Sequence, residues 1–141
     1  MKYIQRFKAF EEKLRYKEII IDGVKWEYLD IGNPLGKPLV FLTGGLRHPI
    51  WSFCVLDLFI NDYRVIAPVY STGLSLEPVI DGVKHIMEHE GLKDSYMIGS
   101  SWGGNLVQCM TYKYPDIASK IVLSNTGALY SKSLIPFLRF Y

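Results

Sequence analysis

Gly99-Ser100-Ser101-Trp102-Gly103 is the part of this 141-residue sequence whose residue types and spacing point most directly to chemistry. A serine hydroxyl attacks a carbonyl only if the chain presents it clear of its neighbours, beside donors that stabilise the oxyanion formed in the attack. A G-x-S-x-G run does this when it joins a strand to a helix. The chain then reverses within about two residues and holds the central serine in a strained backbone conformation with its hydroxyl projecting. Here Ser95 to Gly99 reads as the strand and Gly103 to Tyr114 as the helix, while Gly104 extends the small-residue run that lets the helix pack closely. Ser101 is therefore the expected nucleophile.

The helix after the serine directs its N-terminal N–H groups and positive dipole end at the same point, so the N–H of Trp102 is the expected oxyanion donor. A second should come from Thr43-Gly44-Gly45-Leu46, a glycine turn after a short apolar strand. Gly45 is the expected donor there, with Leu46 the alternative if the turn is offset by one. Each such donor is typically worth about 3 kcal/mol in the transition state. Leu46 and His48, just beyond, are candidates for the substrate-pocket rim. The histidines of the chain, His48, His85 and His89, all precede the serine. His85 and His89 lie one helical turn apart without a third ligand, and Cys54 and Cys109 belong to no metal-ligand spacing, so no metal and no cofactor is expected. Both cysteines read as reduced, buried thiols.

The elements that must position these residues follow from pattern. Glu18–Ile21 and Val24–Asp30 flank Asp22-Gly23, a pair suited to a type I′ hairpin turn. Pro38–Leu42, Arg64–Pro68 and Lys120–Ser124 are further short strands, and Pro49–Phe59 is apolar and long enough for a helix. Leu76, Val79, Ile80, Val83, Ile86 and Met87 fall on one helical face, with Ser75 as N-cap, Pro78 in the first turn and Gly91 as the stop. After the hairpin, strands and helices alternate. That order predicts an α/β fold with a largely parallel sheet flanked by helices on both faces, and function at the carboxyl ends of its strands.

Hydrophobic residues make up 49% of the chain and charged ones 21%, which suits a packed core. The net charge of +2 and the absence of basic runs interleaved with aromatics exclude a nucleic-acid partner. No apolar run is long enough for a transmembrane segment and no secretory h-region opens the chain, so the expected address is cytoplasmic. Residues 1–17 are basic, and Ile4, Phe7, Phe10 and Leu14 give them one apolar face. Such a helix caps its own domain, lies on a membrane surface or docks on the parent protein.

Together FLTGG, RVIAP, GSSWGG and YPDIASKIVLSN resemble the α/β-hydrolase superfamily, from the Asp22-Gly23 hairpin to Gly127. The resemblance implies an amino-terminal half: a partial core over residues 18–127 and the start of a lid or cap over 128–141. It implies a serine hydrolase acting on a small-molecule ester or amide, of esterase, lipase or peptidase type. Serine at position 101 argues against the dehalogenase and epoxide hydrolase types, which use an aspartate there. Thr43 stands where many members have histidine, and the Val69-Tyr70-Ser71-Thr72-Gly73 loop resembles that of maspardin-type members, to which partner binding and hydrolysis are both ascribed. In this superfamily acid and histidine follow the serine, yet after Ser101 the chain offers only Asn125 and Asp116 near the expected acid and no histidine. The expectation is thus a nucleophile whose acid and base are missing from this chain, which is inactive alone and self-associates or takes a second chain to complete its sheet. The alternative is a non-catalytic interaction module that keeps the fold.

Overall fold

The computed structural model describes residues 2–71 and 73–129, in which six strands form one mixed sheet. Helix α1 (Tyr3–Glu11) precedes a hairpin of β1 (Tyr16–Ile21) and β2 (Val24–Gly32), whose turn places Asp22 at φ 49° and Gly23 at φ 78°. Two successive positive φ values are what a type I′ turn demands. β3 (Lys37–Leu42), α2 (Phe53–Phe59), β4 (Tyr63–Val69), α3 (Leu76–His89), β5 (Tyr96–Ser100), α4 (Trp102–Lys113) and β6 (Lys120–Ser124) then alternate. The strand order is β1-β2-β4-β3-β5-β6. β4, β3, β5 and β6 run parallel, and β2 lies antiparallel to both β1 and β4.

Alternation along each strand divides the core in two. Val40, Leu42, Ile66 and Met97 face α3 and α4, where they meet Val79, Ile80, Val83, Ile86, Leu106 and Val107. Leu39, Phe41, Val65 and Ala67 face the other way, onto Phe10 of α1 and Phe53 and Leu56 of α2. Every residue of the expected α3 face is buried, whereas the side chain of Ser75 makes no capping hydrogen bond. The expected helix over Pro49–Phe59 is in two pieces, a 3-10 turn at Pro49–Ser52 and then α2. The break at Ser52 (φ −102°, ψ 17°) re-aims the chain so that Phe53 enters the core.

The basic amino-terminal helix docks on its own domain. Tyr3, Phe7 and Phe10 surround the Phe53 ring at centroid distances of 4.9, 5.0 and 6.0 Å, and Arg6 and Lys13 pair with Asp57 of α2. Ile4, counted on the apolar face, remains 67% exposed. At the far edge of the sheet, Ile121, Val122 and Leu123 of β6 are 43%, 55% and 41% exposed. Among the described residues no helix is long and apolar enough to cross a membrane.

At the amino end of the parallel strands sits an ionic cluster that ties β1, β2, β4 and α3 together. Arg64 grips both oxygens of Asp30 (3.0 and 2.7 Å) and also pairs with Glu90, Lys17 bridges Asp30 (2.6 Å) and Glu90 (3.0 Å), and the Tyr28 hydroxyl donates to Glu90 at 2.5 Å. Burial alone would raise the Asp30 and Glu90 carboxyls. The hydrogen bonds and charges of Arg64 and Lys17, with Tyr28 donating to Glu90, outweigh it and hold both below their usual values. A carboxylate depressed in the fold contributes stability that is present above its unfolded pKa and lost as pH falls through the folded one. Glu90→Gln is therefore expected to be less stable by about 1–3 kcal/mol at neutral pH, a difference that closes below about pH 4. Denaturant melts at a series of pH values measure it.

Candidate active site

β3 and β5 are paired neighbours with Leu42 opposite Gly99, so the glycine turn after β3 and the serine turn after β5 leave the sheet side by side. Ser101 lies between β5 and α4 at φ 54°, ψ −119°, outside the helical and extended regions. Such a conformation costs of order 1–3 kcal/mol and persists only where the surroundings impose it. They do so here by hydrogen bonds on both sides: the Ser101 N–H donates to the Ser124 carbonyl at 2.9 Å, and its carbonyl accepts from the N–H groups of Gly104 (3.0 Å) and Asn105 (3.4 Å). The Ser101 side chain is left exposed at the apex.

The flanking glycines are required by space. A Cβ on Gly103 would lie 2.0 Å from the Leu42 carbonyl oxygen, and one on Gly99 would lie 2.5 Å from the Gly103 oxygen. The first turn of α4 therefore rests on the end of β3 at backbone contact. On the other side, a Cβ on Gly44 would stand 3.3 Å from the Ser101 Cβ and 3.8 Å from its Oγ, so the glycine turn touches the serine.

That turn is closed by the Arg47 N–H donating to the Gly44 carbonyl at 2.9 Å, which leaves Gly45 and Leu46 as its exposed central residues. Their N–H groups have no acceptor among the described residues. Trp102 is the first residue of α4, where an N–H has no intrahelical acceptor. Unpaired donors thus stand on both sides of Ser101. Thr43, buried beneath the turn, places its Oγ1 3.3 Å from the Ser52 Oγ and links the turn to the 3-10 segment.

The Trp102 ring is packed edge-on against Tyr70 (centroids 5.1 Å apart) and carries the Arg47 guanidinium at 5.3 Å from its centre. Tyr70 follows β4, is 2% exposed, and its hydroxyl has no well-formed hydrogen bond among the described residues; burial drives its pKa well up, offset in part by the Thr43 backbone. Arg47 and Tyr70 belong to no spacing motif. Only the folding of three loops onto one another marks them, although Arg47 sits between the two rim candidates. Leu46 is 71% exposed beside the serine turn. His48 instead uses its Nδ1 to accept the Ile50 N–H at 3.2 Å and packs against Tyr16 of β1, four strands from β5.

The other titratable candidates do not converge on the serine. His85 and His89 are exposed on α3, and no group of three metal-binding side chains occurs among the described residues. Asp116 lies before β6, at the end of the sheet opposite Ser101, whereas Asn125 follows β6 at the site end with φ 51°. Cys109 is buried among apolar side chains, which pushes its thiol up to about 11, and Cys54 is half-buried; neither forms a disulfide.

Because Gly103 touches β3 backbone while Gly45 has nothing within 4 Å of where a Cβ would be, the two separate packing from turn composition. Gly103→Ala is expected to destabilise the protein by at least about 1–3 kcal/mol. Gly45→Ala should stay within about 0.5 kcal/mol of the parent, as open surface positions do. Urea midpoints compare them.

This geometry has relatives. The chain is 27% identical over 122 residues to epoxide hydrolase 4 of Homo sapiens, an alignment covering 78% of this chain and 33% of that protein. It is also 27% identical over 131 residues to the cis-3-alkyl-4-alkyloxetan-2-one decarboxylase of Shewanella oneidensis, covering 82% and 40%. This chain therefore spans well under half the length of both relatives. In fold it is similar to the naproxen esterase (carboxylesterase NP) of Bacillus subtilis, with a TM-score of 0.73 at 16% identity over 97% of this chain and 59% of that one. A sequence profile of the alpha/beta hydrolase fold matches residues 37–141, from the start of β3 through the serine turn and α4, and on that match the chain belongs to the α/β-hydrolase family.

Proposed function

We propose that the chain is the nucleophile-bearing part of a serine hydrolase that cleaves a small-molecule ester or amide. The observation that carries this reading is Ser101 itself, held at φ 54°, ψ −119° with its side chain exposed between the unpaired N–H groups of Gly45 and Trp102. In the reaction, Oγ bonds to the carbonyl carbon while a base takes its proton, and the carbonyl electron pair moves onto oxygen. The Gly45 and Trp102 N–H groups receive that oxyanion. Collapse expels the alcohol or amine, protonated by the same base, and water then releases the acid from the serine. The base and its orienting acid are supplied from outside these 141 residues.

The names of the two sequence relatives describe those proteins. In this chain a hydroxyl occupies the elbow, where the epoxide-opening type carries a carboxylate, and this supports acyl transfer over epoxide opening. The exposed apolar residues of β6 support the further reading that more polypeptide, from the same protein or a second chain, completes the sheet at that edge. A cytoplasmic address belongs to the same proposal and is supported by the two unpaired thiols.

A fluorophosphonate probe should label the complete protein on Ser101, and Ser101→Ala should abolish the labelling. An unlabelled but folded complete protein would overturn the proposal in favour of a non-catalytic interaction module, whose partner binding survives Ser101→Ala.

A further inference from the structure

The loops at the carboxyl ends of the parallel strands, residues 43–52, 70–75, 101–105 and 125–129, contain no Asp or Glu, and Arg47 is their only Lys or Arg. Asp57 and Glu77, which follow two of these loops, are occupied: Asp57 by Arg6 and Lys13, Glu77 by Lys113. Arg47 makes no ion pair among the described residues, although it is half-buried. Its Nη1 donates to the Ser71 carbonyl at 3.1 Å, and its guanidinium lies over Trp102. One of five N–H donors is thereby used, and the rest have no acceptor among the described residues.

The backbone fixes where this charge sits. Arg47 adopts φ 60°, a conformation glycine enters more readily, and it is held there by its N–H to Gly44 and by its carbonyl accepting from Tyr70 at 3.0 Å. Its backbone closes the turn that carries Gly45, and its guanidinium covers the ring of Trp102, so one residue touches both segments that carry the expected oxyanion donors. A half-buried cation that makes no ion pair among the described residues, three residues after the glycine, Gly44, that touches an exposed nucleophile, favours an anionic ligand. A single planar donor edge matches one carboxylate in bidentate fashion.

We propose that Arg47 anchors a free carboxylate carried by the substrate, so that the site prefers hemiesters of dicarboxylic acids to neutral esters of the same shape. The inference rests on Ser101 being the nucleophile. The anchoring carboxylate takes no part in bond exchange: the hemiester and water give the dicarboxylate and the alcohol.

The test compares 4-nitrophenyl hydrogen glutarate with 4-nitrophenyl methyl glutarate on the complete protein, with calorimetric titration of glutarate into its Ser101→Ala form as a readout independent of turnover. The expected result is a kcat/KM at least about tenfold higher for the free acid, carried mainly by KM. Arg47→Gln should lower that preference at least about tenfold, Arg47→Lys should restore part of it, and glutarate binding should vanish when Arg47→Gln is added to Ser101→Ala. Turnover of both esters falling equally in Arg47→Gln, or a parent without preference, would overturn the anchor and leave the serine reading intact. Glutarate binding through Arg47 without turnover of either ester would overturn the serine reading and leave the anchor. Neither turnover nor binding would overturn both.

Discussion

The backbone contact between the first turn of α4 and the end of β3 is the constraint on which the rest of the site depends. Gly103 lies against the Leu42 carbonyl so closely that a Cβ would stand 2.0 Å from it. That contact brings the amino end of a 12-residue helix up to the carboxyl end of the sheet. Ser101, caught between β5 and α4, has no room for ordinary dihedrals and takes the strained conformation that projects its hydroxyl. The same contact sets the glycine turn of β3 against the serine.

The two ends of the parallel strands are built from opposite electrostatics. At the amino end, Arg64 and Lys17 meet Asp30 and Glu90 in a cluster that includes the carboxyl end of α3, where positive charge also suits the helix dipole. Those charges are mutually neutralised and serve to lock β1, β2, β4 and α3. At the carboxyl end the α4 helix presents the positive end of its dipole, and Arg47 makes no ion pair among the described residues.

Much of this was legible in the sequence because it depends on local periodicity and on residues with few backbone options. The apolar face of α3, the Asp22-Gly23 hairpin and the bounds of β6 all read directly from pattern. The serine turn was legible because glycines at both ends of a five-residue run have few uses other than a sharp reversal. Harder to read was the split of Pro49–Phe59 into a 3-10 turn and α2, since helical periodicity does not reveal a bend made so that Phe53 can enter the core.

The amino-acid sequence by itself determined the alternation of strands and helices, the expected nucleophile and the turns that flank it, because each is encoded within a dozen consecutive residues. Tertiary structure alone decided which separate loops meet. It stacked Arg47 of one loop on Trp102 of another, under a carbonyl from a third, and it turned His48 toward Tyr16 at the far side of the sheet. The physical reason is strand order. β3 lies between β4 and β5, so residues distant in sequence leave the sheet as neighbours, and no local spacing records that adjacency.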